Sequence, residues 1–236
     1  MIFVCTSFIY RGKDTIIGMN FDNNGMKYAI DTKNSKWFTV LVDGGRGKYP
    51  SFGVDSSGRF FNSLVVNSNG KGLYRRPSKK VTHTTKLVTD IINEVIHPEN
   101  LGEYLDNIEV VNTPDWSCHN MICDANANVW VVEPGRGNIN NTVNDSPFFV
   151  MTNFSLWEHL HENVESNCPR YKAVSNELSN VEELDISKAF NILNSVSQRN
   201  EEWVTAFSLV YSKKAHTVYY CLDGNFSEIA EYKFPI

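Results

Sequence analysis

The sequence predicts an α+β fold: two antiparallel sheets packed together, with helices outside. Three observations lead there. The hydrophobic periods run in the order strands, helices, strands, helices, strands. The strict β-α alternation of a doubly wound parallel sheet is missing. The 236 residues, 42% hydrophobic and 21% charged, also supply a full core. A chain of this size buries roughly 70% of its unfolded surface without help from disulfides or metals. Neither an internal repeat nor a low-complexity linker interrupts it, so one domain is expected over 1–236.

The first zone is strand-like. Residues 2–10 (IFVCTSFIY) are rich in β-formers, and Arg11-Gly12-Lys13-Asp14 punctuates them. Thr15–Phe21 reads as the returning strand. Residues 37–42 form another, and Phe60–Val66 follows the turn Ser56-Ser57-Gly58. The middle zone opens with a helix whose Leu87, Val88, Ile91, Ile92, Val95 and Ile96 share a face and which Pro98 ends. Asn100 with Glu103 has the form of a capping box for a second helix, whose apolar stripe is Leu101, Tyr104, Leu105 and Ile108. Strands return at His119–Cys123, Val129–Glu133 and Phe148–Met151. Two helices follow, near 170–179 and 186–197, the second with Asp185 as N-cap. Val204–Tyr211, Thr217–Leu222 and Ile229–Phe234 close the chain as strands.

Charge and composition exclude several classes. The net charge of −5 leaves no footprint for nucleic acid. The Arg75-Arg76 and Lys79-Lys80 cluster reads as a solvated loop. No apolar run approaches the roughly 20 residues that span a bilayer, and the N-terminus lacks a signal-peptide pattern. The N-x-S/T sequons at Asn140, Asn153 and Asn225 are therefore read as chance. Five cysteines, an odd number without zinc spacing, fit mostly buried free thiols in a cytoplasmic protein.

Three motif matches fail on inspection. Gly44-Gly45-Arg46-Gly47-Lys48 is followed by Tyr49, where a phosphate loop needs Ser or Thr. Asp124 to Asn128 begins like a calcium loop, but Val129 and Gly135 stand where Gly and Glu are required; a hairpin turn is expected. His159 and His161 lack further metal-ligand spacing. Neither a metal nor an organic cofactor is expected.

Cys5-Thr6-Ser7 followed by Gly18-Met19-Asn20-Phe21-Asp22 carries the chemistry. A cysteine near a chain start becomes an N-terminal nucleophile once the residues before it are removed. Its freed α-amine, with a pKa of about 7.7–8.0, serves as base for its own thiol. A carboxylate or amide must hold that amine, and one hairpin turn brings Asp22 back toward Cys5. The spacing alone fits a buried strand thiol and a turn aspartate better.

These segments resemble the choloylglycine hydrolase/penicillin V acylase family and the related acyl-CoA:6-aminopenicillanic acid acyltransferases. That family comprises N-terminal nucleophile hydrolases acting on linear amides. Gly53–Gly58 with Phe60–Asn67, His119–Glu133, Val150–Asn153 and Trp203–Tyr220 resemble further family segments in the same order. The resemblance implies a four-layer αββα sandwich and a short propeptide over 1–4, released at Val4–Cys5. It assigns the nucleophile to Cys5, the amine-holding carboxylate to Asp22 and an oxyanion-hole amide to Asn153. A second oxyanion contributor falls on Asn62 or Asn67, the register being open, and the family's late arginine on Arg170. The implied substrate is a small-molecule N-acyl amide cleaved through a Cys5 thioester. Transfer to a second amine, and an uncleaved, non-catalytic binding protein of the same fold, stand as alternatives. Two departures narrow the expectation. Met19 replaces the arginine usual in bile-salt hydrolases and penicillin V acylases. The segment between Asn153 and Arg170 is too short for the bile-salt-hydrolase tetramer hairpin, which leaves room only for another kind of homo-oligomer.

Overall fold

The computed structural model describes residues 5–45, 47–162 and 164–235. The expected propeptide, residues 1–4, and Arg46 of the glycine-rich turn lie outside the described residues.

The chain opens with the hairpin β1 (Thr6–Arg11) and β2 (Thr15–Asn23), followed by β3 (Tyr28–Asp31), β4 (Trp37–Asp43), β5 (Lys48–Asp55) and β6 (Phe60–Val65). A short parallel pair, β7 (Val81–His83) and β8 (Glu109–Val111), brackets α1 (Thr84–Ile92) and α2 (Leu101–Asn107). Then come β9 (Cys118–Cys123), β10 (Val129–Glu133), β11 (Gly137–Asn141) and β12 (Phe148–Thr152). Helices α3 (Leu156–His161), α4 (Pro169–Asn180) and α5 (Ile186–Ser195) precede β13 (Val204–Ser212), β14 (Thr217–Leu222) and β15 (Ala230–Lys233).

Two antiparallel sheets result. One has the order β12-β1-β2-β13-β14-β15, the other β11-β10-β9-β6-β5-β4-β3. Side-chain alternation divides the core into three. Ile9, Ile17, Met19, Phe52, Met121, Phe207 and their neighbours fill the space between the sheets. Phe8, Tyr10, Ile16 and Val210 face outward onto Val174, Leu178, Phe190 and Leu193 of α4 and α5. Phe61, Ile122 and Val132 face outward on the other side onto Leu87, Val88 and Ile91 of α1. The layers are thus helix, sheet, sheet, helix, as the resemblance implied. Gly18 has a steric cause: it pairs with Phe8, and a Cβ there would lie 2.3 Å from the Phe8 ring.

Several local expectations need correction. The first helix ends at Ile92, not at Pro98. Val95 N–H bonds to Asp90 C=O at 2.8 Å and Glu94 N–H to Ile91 C=O at 3.0 Å, with Glu94 at φ 57°; this is a Schellman close formed without glycine. Asn100 precedes α2 but makes no side-chain capping bond, so the predicted box is not formed. Asp185 does cap α5, accepting from Lys188 N–H at 2.8 Å. Asp124 builds the expected hairpin turn by accepting from the Asn126 and Asn128 amides, both at 2.8 Å.

The strands β3, β5, β7, β8 and β11 and the helix α3 were not foreseen. β5 contains Pro50, which counts against a strand. Pro50 pairs with Leu41 where a register irregularity interrupts the β4–β5 ladder, the kind of place in a sheet that accepts proline. No helix among the described residues is long and apolar enough to cross a membrane.

Candidate active site

Cys5 directly precedes β1. Thr6 pairs with Thr152 on one side and with Asn20 on the other. One step further along the ladder therefore sets Cys5 between Asn153 and the Phe21–Asp22 end of β2. Cys5 is buried, and its thiol donates weakly to the Asp22 carbonyl at 3.8 Å. The Arg170 guanidinium donates to the Cys5 carbonyl and, at 2.8 Å, to the Thr6 hydroxyl. Arg170 reaches this point because Pro169 opens α4 just before it, in the first turn, where a missing N–H costs nothing.

Asp22 is 2% exposed. Its Oδ1 accepts from the Thr205 hydroxyl at 2.5 Å, and its Oδ2 has no partner among the described residues. Burial pushes the Asp22 carboxyl up to about 7, against the opposing effects of the Thr205 hydrogen bond and the Arg170 charge. Burial, then the Asp22 charge, push the Cys5 thiol up to about 12, against the Asp22 main-chain hydrogen bond and Arg170. The thiol needs a base before it can attack as a thiolate.

Asn153 stands at the end of β12. Its Nδ2 donates to the Val65 carbonyl at 2.8 Å, which leaves the second amide hydrogen for another acceptor. The loop after it is held by Glu133, whose carboxylate accepts from the Ser155 hydroxyl at 2.6 Å, the Leu156 N–H at 2.8 Å and His119 Nδ1 at 3.0 Å. Burial would push Glu133 up, but these three donors outweigh it and hold the carboxyl below its usual range. Ser155 also caps α3, accepting from Glu158 N–H at 3.1 Å.

The structure thus gathers Cys5, Asp22, Arg170 and Asn153 at one end of the six-stranded sheet. It places Asn62 and Asn67 elsewhere. Asn62 lies fully buried between the sheets, donating to Ser7 Oγ at 2.7 Å and accepting from Met121 N–H at 3.2 Å. Asn67 is exposed beyond β6, with its carbonyl accepting from Arg136 at 2.7 Å. The β6 group that meets Asn153 is the main chain of Val65. Met19 is fully buried between the sheets, its sulfur 3.8 Å from Asn62 Nδ2. Two surface clefts, of about 420 and 320 Å³, lie along α5, and no candidate residue lines either.

Thr205 and Ser155 were missed by sequence reasoning. Ser155-x-x-Glu158 carried a legible capping signal. Thr205 carried none, since only the β2–β13 register brings it to Asp22.

No family model and no curated protein matches the sequence. Solved structures do. Two variants of the conjugated bile acid hydrolase from Clostridium perfringens superpose with TM-scores of 0.68 and 0.67 at 14% identity, over 97% of this chain and 92% of theirs. Penicillin V acylase from Agrobacterium tumefaciens gives 0.65 at 15% identity, over 92% of this chain and 83% of that one. The Caenorhabditis elegans ortholog of N-acylethanolamine-hydrolyzing acid amidase gives 0.62 at 14%, over 89% and 93%. At these identities the likeness establishes the fold: over nearly its whole length, the chain has the same sandwich of two sheets and flanking helices as these proteins.

Proposed function

We propose that the protein is a cysteine amidohydrolase that cleaves a linear amide of a small N-acyl substrate through a thioester on Cys5. The observation that carries this reading is Cys5 at the start of β1, with Arg170 on its carbonyl and the half-satisfied carboxylate of Asp22 beside it. The fold shared with three kinds of amide hydrolase supports it.

Activation requires loss of residues 1–4. The Cys5 sulfur adds to the Val4 carbonyl, its proton passes to the peptide nitrogen, and the C–N bond breaks as a thioester forms. Water hydrolyses that thioester and frees thiol and α-amine. In turnover the amine takes the thiol proton while sulfur attacks the acyl carbonyl. Asn153 donates to the oxyanion, a contact of a kind worth about 3 kcal/mol in the transition state. Collapse expels the substrate amine, which takes its proton from the α-ammonium. Water then gives a proton to the amine and attacks the thioester, and the departing sulfur takes that proton back from the α-ammonium as the thiol re-forms. Asp22 holds the α-amine, and the hydrogen bond becomes charge-assisted once that nitrogen is protonated.

Intact mass and a panel of N-acyl amides test this together. The expected result is a chain lacking residues 1–4 that hydrolyses simple acyl amides, with turnover falling to background in Cys5→Ala. Glycine- and taurine-conjugated bile salts should be poor substrates, because Met19 stands where bile-salt hydrolases usually have an arginine. A chain that stays full length, or amidase turnover retained by Cys5→Ala, overturns the assignment.

A further inference from the structure

Resting on the reading of Cys5 as nucleophile, we infer that Thr205 is a positioning residue for Asp22: its hydroxyl fixes one carboxylate oxygen so that the other is held for the main-chain nitrogen of Cys5. The hydrogen-bond count on Thr205 leaves its hydroxyl one orientation. Oγ1 accepts from the Gln198 N–H at 2.7 Å, so its single proton goes to Asp22 Oδ1 at 2.5 Å. Thr205 is 1% exposed, and its own N–H bonds to the Gln198 carbonyl at 2.9 Å. The residue is thus tied to the 198 segment at main chain and side chain alike.

The local backbone serves the same end. Thr205 pairs with Asp22, but the register between β13 and β2 slips between Thr205 and Phe207. Such a bulge re-aims side chains, here at the strand end next to Cys5. Ala206 is the extra residue. Its carbonyl is taken by the Asp223 N–H at 2.9 Å and by the Tyr28 hydroxyl, from the facing sheet, at 3.0 Å. The bulge is therefore pinned from β3 and from the turn after β14, and Asp22 Oδ1 is fixed through it.

Oδ2 is the consequence. A buried carboxylate oxygen without a donor is left desolvated and uncompensated. It sits on the residue whose own carbonyl accepts from the Cys5 thiol. A freed α-amine on Cys5 supplies the missing hydrogens. The charged and titratable groups that bear on Asp22 are Arg170 from α4 and Cys5 from the start of β1; β13 contributes the neutral Thr205. Without the Thr205 hydrogen bond, which lowers the Asp22 pKa, that carboxyl protonates at higher pH.

The test compares cleaved wild-type, Thr205→Val and Thr205→Ser proteins on the N-acyl amide turned over best by the wild type. Thr205→Val keeps the shape and removes the donor. The expected result is a fall in kcat of roughly tenfold or more, at nearly constant KM, the size range of a displaced catalytic group. The acid limb of the kcat–pH profile should move up by about one pH unit, the usual size of a lost hydrogen bond to a carboxylate. Thr205→Ser should restore both. Where the valine variant does not fold, Thr205→Ala carries the same comparison. Unchanged kcat and an unmoved acid limb in the donor-free variant overturn the inference while leaving Cys5 in place. Retained turnover in Cys5→Ala instead overturns the nucleophile assignment on which it rests.

Discussion

Two buried carboxylates in this molecule are built in opposite ways. Glu133 lies in the facing sheet and accepts from three donors, His119, Ser155 and the Leu156 N–H. Asp22 lies in the Cys5 sheet, accepts from one donor, and keeps an oxygen without a partner among the described residues. Their environments push them apart: Glu133 is held below its usual range, Asp22 raised to about 7. A satisfied buried carboxylate fixes structure, here the loop that carries Asn153. A half-satisfied one stores an open valence beside a thiol, and such an arrangement is useful only if another donor arrives.

Removing each group separates the two roles. Glu133→Ala strips the partner from His119, Ser155 and the Leu156 N–H at once. Each buried donor left without its partner costs about 1–3 kcal/mol, so a large drop in melting temperature is expected. A wild-type melting temperature in that variant would break the comparison.

Asp22→Asn should do the reverse. In the cleaved enzyme we expect turnover to fall by about 100-fold or more, the scale of a lost acid–base partner. Stability should not fall with it. Unchanged turnover in a cleaved Asp22→Asn sample would remove Asp22 from the active site.

The pH dependence of stability sharpens the contrast and is the smallest effect. It is best read in a Cys5→Ala background, which cannot cleave itself. Asp22 titrates higher in the folded chain than in the unfolded one, so its ionisation destabilises the fold as pH rises from about 4 toward 7. Asp22→Asn escapes this: its advantage over the parent should be absent near pH 4 and full above pH 7. Glu133 has the opposite sign. Its contribution is present above the unfolded pKa of about 4.5 and is lost as pH falls through the lower folded value. Glu133→Gln should therefore flatten the acid side of the stability curve. Parallel slopes in the two variants would contradict the distinction.

Much of this was legible in the sequence, and the gaps have physical reasons. Cys5 and Asp22 sit at strand ends joined by a single hairpin turn, which spacing can suggest, whereas Asn153, at a strand end, and Arg170, at a helix start, were reached only through the family resemblance. Asn62 and Asn67 were candidates because β6 was recognised but its register was not. A slip of one residue reverses every side chain, and the structure uses Asn62 as a polar strut to Ser7 and leaves Asn67 in solvent. β7 and β8 are three residues each, too short for a period of two to appear. The end of α1 was misplaced because Glu94 adopts the left-handed turn that glycine usually marks. Thr205 could not be found at all, because its role depends on pairing between residues 183 apart and on a bulge.

The most direct measurement of the central claim is acyl-enzyme trapping. Cleaved protein is mixed with a p-nitrophenyl ester of a short acyl chain, quenched in acid within the first turnover, and mapped by peptide mass spectrometry. The account predicts one acyl group, on Cys5, that disappears in Cys5→Ala and persists longer in Asp22→Asn. An acyl group on Cys168 or another side chain, or none on Cys5 while p-nitrophenol is released, would contradict it.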